Sequence, residues 1–179
     1  MKNWQINLKK AEDNFDWLCA INIYDDTISS KLSCSEKMNL VLRLMFTINY
    51  CILECNSSTD DYLYGKKVIK KIFNQSFENF KDNADYLFCL HVITRLNEDM
   101  FDMDFEKPNL FLNKAIELNP NFDLYRYWNV RYRKKINIDS NFLWSQFITN
   151  WKEDKGLLGT YVVDWLRSKF PSLARESGS

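Results

Sequence analysis

A chain of 179 residues, 46% hydrophobic and 16% aromatic, has the size and balance of one globular domain whose core needs no disulfide or metal staple. Its 24 basic and 24 acidic side chains give zero net charge, which excludes the broad cationic field of a nucleic-acid coat or a membrane-surface binder. Four glycines, three prolines and one histidine leave no Gly-rich phosphate loop, paired histidines or CxxC, and point to an all-α fold.

Helical periodicity predicts a first helix over residues 4–22, with Ile6, Ala11, Phe15, Leu18 and Cys19 inward, then a polar connection over residues 25–33. Lys9, Lys10, Glu12, Asp13 and Asp16 interrupt any apolar leader, so the expected location is cytoplasmic. Ser33 and Glu36 have the spacing of a capping box and open a second helix that runs to about Cys55. That helix is apolar nearly all round, as the centre of a bundle must be. Asn39, Arg43, Thr47 and Asn49 interrupt it, and its apolar part is shorter than the roughly 20 residues a membrane span needs, so no membrane partner is expected.

Asn56 to Asp60 break the chain and cap a third helix, with Val68, Ile69, Ile72 and Phe73 on a core face and Lys66, Lys67, Lys70 and Lys71 on a solvated one. A fourth helix follows Asn79 to Asn83, carries Ala84, Leu87, Phe88, Leu90, Val92, Ile93 and Leu96 inward, and ends near Glu98. Pro108 opens a fifth that closes at Asn119 and Pro120, and a sixth begins near Asp123. Seventh and eighth helices are expected over Ser140 to Lys152 and Leu158 to Lys169, separated by Gly156 and Gly159. The expectation is eight helices in antiparallel hairpins, as a bundle or a short repeat-like superhelix, forming one domain over residues 1–171. The polar tail over residues 172–179 is expected to fray, and its Ser-Gly-Ser end has the form of an appended linker.

Residues 114–122 (Lys-Ala-Ile-Glu-Leu-Asn-Pro-Asn-Phe) resemble the end of a tetratricopeptide repeat, where a small residue, here Ala115, packs between helices and a proline stops the second one. Tyr127, Trp128 and Asn129 resemble the start of the following repeat, although Val130 and Arg131 stand where a small residue is expected. The resemblance implies paired-helix packing and a tendency toward protein binding.

The loop from Asn97 to Lys107 sets Glu98, Asp99, Asp102, Asp104 and Glu106 among Met100, Phe101, Met103 and Phe105. It is not a calcium loop: Lys107 occupies the position that needs glycine, and Asn113 the one that needs glutamate. A bland reading folds the aromatics inward and solvates the acids. The functional reading takes Glu98, Asp99, Phe101, Asp102, Asp104, Phe105 and Glu106 as a face for a basic partner, with aromatic anchors supplying affinity and carboxylates steering the encounter.

The opposite sign gathers at Arg126, Arg131, Arg133, Lys134 and Lys135, interleaved with Tyr125, Tyr127, Trp128 and Tyr132. Guanidinium groups beside aromatic rings suit single-stranded nucleic acid, yet Tyr125, Trp128 and Tyr132 are spaced as a packed stripe, which makes nucleic acid the weaker expectation. Cys19, Cys34, Cys51, Cys55 and Cys89 show no ligand spacing and read as free thiols acting as small buried hydrophobes. Cys89 and His91 point to nearly opposite sides of one helix, so no metal site is expected, and His91 reads as a hydrogen-bonded, mostly buried side chain.

With no catalytic constellation and no cofactor motif, the expectation is a non-enzymatic protein-binding domain. In size and in lack of catalytic motifs the chain is similar to bacterial immunity and antitoxin proteins of contact-dependent and polymorphic toxin systems. That similarity implies a basic toxin domain, such as a nuclease, as the partner. A tetratricopeptide-like adaptor or chaperone binding a peptide, and an RNA-binding helical protein using Arg126 to Lys135, are the competing expectations.

Overall fold

The structure is a computed structural model and describes residues 2–55, 57–128 and 149–169. Among the described residues it contains α1 (Asn3–Asp13), α2 (Trp17–Ile28), α3 (Cys34–Glu54), α4 (Thr59–Phe80), α5 (Ala84–Leu96), a 3₁₀ turn (Glu98–Phe101), α6 (Lys107–Leu118), α7 (Asp123–Trp128) and α8 (Thr149–Lys169), with no strand. The fold is an all-α bundle.

The caps show why these boundaries fall where they do. Ser33 Oγ accepts from the Glu36 N–H at 3.3 Å, and Glu36 returns the bond to the Ser33 N–H at 3.0 Å, so two orphan donors at the start of α3 are satisfied. Ser58 and Asp61 repeat the box at α4, and Asn83 accepts from the Tyr86 N–H at 2.9 Å to open α5.

Where residues 4–22 predict one helix, the structure has two. Asn14 ends α1, Phe15 takes a left-handed φ of 54°, and the Asp16 carboxylate restarts the helix by accepting from the Cys19 N–H at 2.9 Å. The break shifts the phase of the inward face. Ala11 stays in the core, whereas Ile6, Phe15, Leu18 and Cys19 are exposed and Trp17, Ala20, Ile21 and Tyr24 are buried in their place.

Helix α3 is the centre: α2, α4, α5 and α8 all pack against it, and Leu40, Leu42, Leu44, Met45, Phe46 and Ile48 are fully buried. In a superhelix of stacked hairpins each unit touches only its sequence neighbours. Here α8 returns to α3, setting Tyr161 at a tilt against Phe46 with 5.4 Å between ring centres, and also packs on α1. The bundle is therefore closed. The α5–α6 hairpin forms its flank, with Ala115 fully buried.

The run α8 is two helical segments meeting at a kink, so the expected division falls at Gly156, whose φ of 56° and ψ of −128° make a conformation essentially confined to glycine, while Gly159 lies within the second segment. The expected helix start at Ser140 and the tail over residues 172–179 lie outside the described residues. Among the described residues, no helix is long and apolar enough to cross a membrane.

Candidate partner-binding site

The loop between α5 and α6 divides its seven candidate residues into two groups. Phe101 and the neighbouring Met100 are core side chains, with Phe101 set edge-on to Phe73 of α4 at 5.8 Å. Phe101 is thus not a partner-facing anchor: the 3₁₀ turn rolls it under the loop, where burial of its ring stabilises the turn against α4. Three carboxylates are also committed to partners within the chain, at its surface. Glu98 bonds Arg95 at 2.9 Å; Asp99 accepts from Tyr62 and from Lys66 at 3.1 Å; Asp102 pairs with Lys66 at 2.7 Å and with Lys70.

These contacts correct the reading of the α4 lysines as a merely solvated face. Lys67 and Lys71 are exposed, but Lys66 and Lys70 reach across to fasten the loop. Hydrogen bonds from Lys66 and then Lys70 hold the Asp102 carboxyl down at about 2, and bonds from Tyr62 and then Lys66 lower that of Asp99. Asp102 itself closes the 3₁₀ turn in a left-handed conformation, φ 50°.

Asp104, Phe105 and Glu106 remain at the surface. Phe105 is 62% exposed, and the Arg95 guanidinium lies 4.2 Å from its ring centre, a cation–π contact that fixes the ring without covering it. Among the described residues, the Glu106 carboxylate accepts only from Asn109, at 3.2 Å, and Asp104 forms no ion pair. On α6 nearby, Leu110 is 63% exposed. The sequence reading missed Arg95 and Leu110. Arg95 was signalled by its i,i+3 spacing to Glu98, but its place over Phe105 depends on how the loop turns back.

Of the expected aromatic stripe, the two described rings, Tyr125 and Trp128, pack inward. Tyr125 stacks on Phe88 at 5.0 Å and donates to Asp85 at 2.9 Å, and Trp128 meets Phe88 edge-on at 5.5 Å. Arg131, Tyr132, Arg133, Lys134 and Lys135 lie outside the described residues. His91 is buried, its Nδ1 2.9 Å from the Pro108 carbonyl, and burial depresses its pKa to about 4. All five cysteines are free; Cys51 and Cys89 are buried, but Cys19, Cys34 and Cys55 are exposed and so are not the core residues expected. Among the described residues, no group of three or more His, Cys, Asp or Glu side chains is placed to hold a metal ion.

A second set of charges is buried. Arg43 grips Glu12 with two bonds of 2.8 Å, and Glu12 also accepts from the Leu157 N–H at 3.2 Å, just past the kink in α8. Gly156 makes this possible, because a Cβ there would lie 2.6 Å from Arg43 Nε. Lys155, 3% exposed, bonds Asn39 of α3 at 2.5 Å and Asp85 of α5 at 3.1 Å; Asp85 accepts as well from Tyr125 and, at 3.1 Å, from Trp151. One carboxylate at the start of α5 thereby gathers α7 and α8, and the last described helix is keyed to the first. Glu12, Arg43 and Lys155 are enclosed by packing, and Asp85, partly exposed, is occupied by three donors of the protein itself. Compared with known proteins, the chain matches no family model, no curated protein and no solved structure.

Proposed function

We propose that this chain is a non-enzymatic protein-binding domain of the immunity or antitoxin kind, which blocks a basic toxin domain by covering its functional surface. The observation that carries the reading is Phe105: a large aromatic left mostly exposed, steadied by Arg95, and set between two carboxylates, Asp104 and Glu106, that no cation among the described residues pairs. Aromatic anchors held in one conformation before binding lose little freedom in the complex, and acidic neighbours favour a cationic partner over others. Fastening by Lys66 and Lys70 from α4 supports the same end, since it fixes the base of the loop while leaving its tip free. The closed bundle favours this over a peptide-holding adaptor, whose groove depends on an open superhelix.

The test is capture of the partner from the native host, identification by mass spectrometry, and assay of the captured protein's toxicity with and without this chain. The reading expects a toxin-like protein whose activity the chain suppresses, with Phe105→Ala speeding dissociation tenfold or more, on the order of a hot-spot aromatic. Asp104→Lys with Glu106→Lys should mainly slow association, and more so at low salt. A partner whose activity the chain leaves untouched, or unchanged rates in both variants, sinks the proposal.

A further inference from the structure

Helix α6 sends Phe111, Leu112 and Ala115 into the core, yet two of its leucines face outward, Leu110 at 63% exposure and Leu118 at 44%. A surface helix ordinarily keeps that side polar, so packing within the bundle does not account for them. Nor are they scattered. Glu106, Leu110, Lys114 and Leu118 stand four apart and make one oblique ridge, with Glu106 at the helix cap and Phe105 the residue before it. The two leucines are about 12 Å apart along the axis. Lys114, between them, gives its ammonium to Asp82 at 2.8 Å.

Charge decides what covers such a ridge. Asp104 and Glu106 stand at its head, and Glu117, seven residues on from Leu110, projects in nearly the same direction. Among the described residues no cation pairs with any of the three. Against them stand Lys107, on the adjoining row, and two cations already neutralised, Lys114 by Asp82 and Arg95 by Glu98. The ridge is acidic on balance. A second copy of this chain would set the same acids against each other across a two-fold contact. A helix with an apolar stripe between cations meets both the leucines and the acids, and helices pack ridge into groove.

We propose that the outer ridge of α6 continues the partner surface from Phe105 through Leu110 to Leu118, and that the partner lays a basic amphipathic helix along it. This rests on the reading of Phe105 as a partner-facing anchor and adds what the partner presents. The full chain is titrated, at low and physiological salt, with a fluorescent leucine–lysine peptide patterned as an amphipathic helix of about four turns and with its leucine–glutamate counterpart. The lysine peptide should bind saturably, one to one, and the glutamate peptide should not. Leu110→Ser with Leu118→Ser should weaken binding about tenfold, whereas Leu63→Ser, at a leucine 57% exposed on α4, should leave it unchanged. Glu106→Gln with Glu117→Gln should remove most of its salt dependence. Equal binding of the two peptides, an equal loss in Leu63→Ser, or self-association of the chain that the α6 leucine pair abolishes would overturn the assignment. The partner captured from the native host separates the two readings: dissociation quickened by Phe105→Ala and not by the leucine pair overturns the ridge and leaves the anchor standing, and the reverse removes the anchor alone.

Discussion

Two sets of ion pairs join parts of this chain that are far apart in sequence, and they differ in one respect, their access to water. Glu12–Arg43 and Asp85–Lys155 tie α8 to α1, α3 and α5 with at least one partner almost fully enclosed, whereas Asp99 and Asp102 meet Lys66 and Lys70 at the surface. Similar groups at similar distances therefore do different things. In the enclosed set a missing partner strands a charge away from water, so these pairs specify how α8 seats on the bundle. In the exposed set water replaces whatever is lost, and the pairs set the shape and charge of a loop, not the existence of the fold.

The sharpest way to break this contrast is at Arg43. Arg43→Met leaves the Glu12 carboxylate buried with only the Leu157 N–H, and should destabilise the fold by about 3 to 5 kcal/mol in urea unfolding. Adding Glu12→Leu removes the stranded charge, and the double variant should regain most of that loss. If the single and double variants unfold at the same midpoint, the pair is ordinary packing and its burial teaches nothing.

His91 extends the comparison to a buried group that avoids charge altogether. Enclosed beside the Pro108 carbonyl, it titrates near 4 in the folded protein against an ordinary value of 6.5, chiefly because burial disfavours the imidazolium, with Arg95 acting in the same direction. The unfolded chain therefore binds more protons than the folded one between those values. Stability contributed by the neutral ring is complete above about pH 6.5 and is lost as pH falls toward 4, by up to about 3 kcal/mol. His91→Gln keeps a donor for Pro108 and should flatten that part of the stability–pH curve. Parallel curves for the two proteins between pH 4 and 6.5 would show that His91 is protonated in the fold.

What the sequence reveals here is what is local. Ser33 with Glu36 and the apolar circumference of Met38 to Ile52 announce α3, because a capping box and a buried helix are written within a few turns of chain. The break at Phe15 is hidden for the opposite reason: apolar spacing runs through it, no glycine marks the left-handed residue, and Asp16 shows itself as a cap only once the helix stops. The acidic loop is visible as composition, but its division is not. Phe101 and Phe105 look alike in sequence, and which one goes under depends on a 3₁₀ turn docking against Phe73 of α4. Glu12 lies 31 positions from Arg43 and 145 from Leu157, and no periodicity connects them. Long-range pairing of charge is a property of the closed bundle.

The smallest expected effect on stability is also the most specific test of the exposed set. Lys66→Gln with Lys70→Gln removes both cations that fasten the loop, yet Asp99 and Asp102 remain in water, so the urea midpoint should not move resolvably. The carboxylates themselves should respond. Asp102, held at about 2 by those two lysines, should titrate in the double variant close to its ordinary 3.8, as followed by the carboxyl carbon in nuclear magnetic resonance. The loop then carries more uncompensated negative charge, and a basic partner should associate faster at low salt, with the gain erased as salt rises. An Asp102 that still titrates near 2 would mean that the loop backbone, and not α4, holds its charge. A lowered midpoint would mean that the surface pairs bear on the fold as the buried ones do, and the contrast between the two sets would fail.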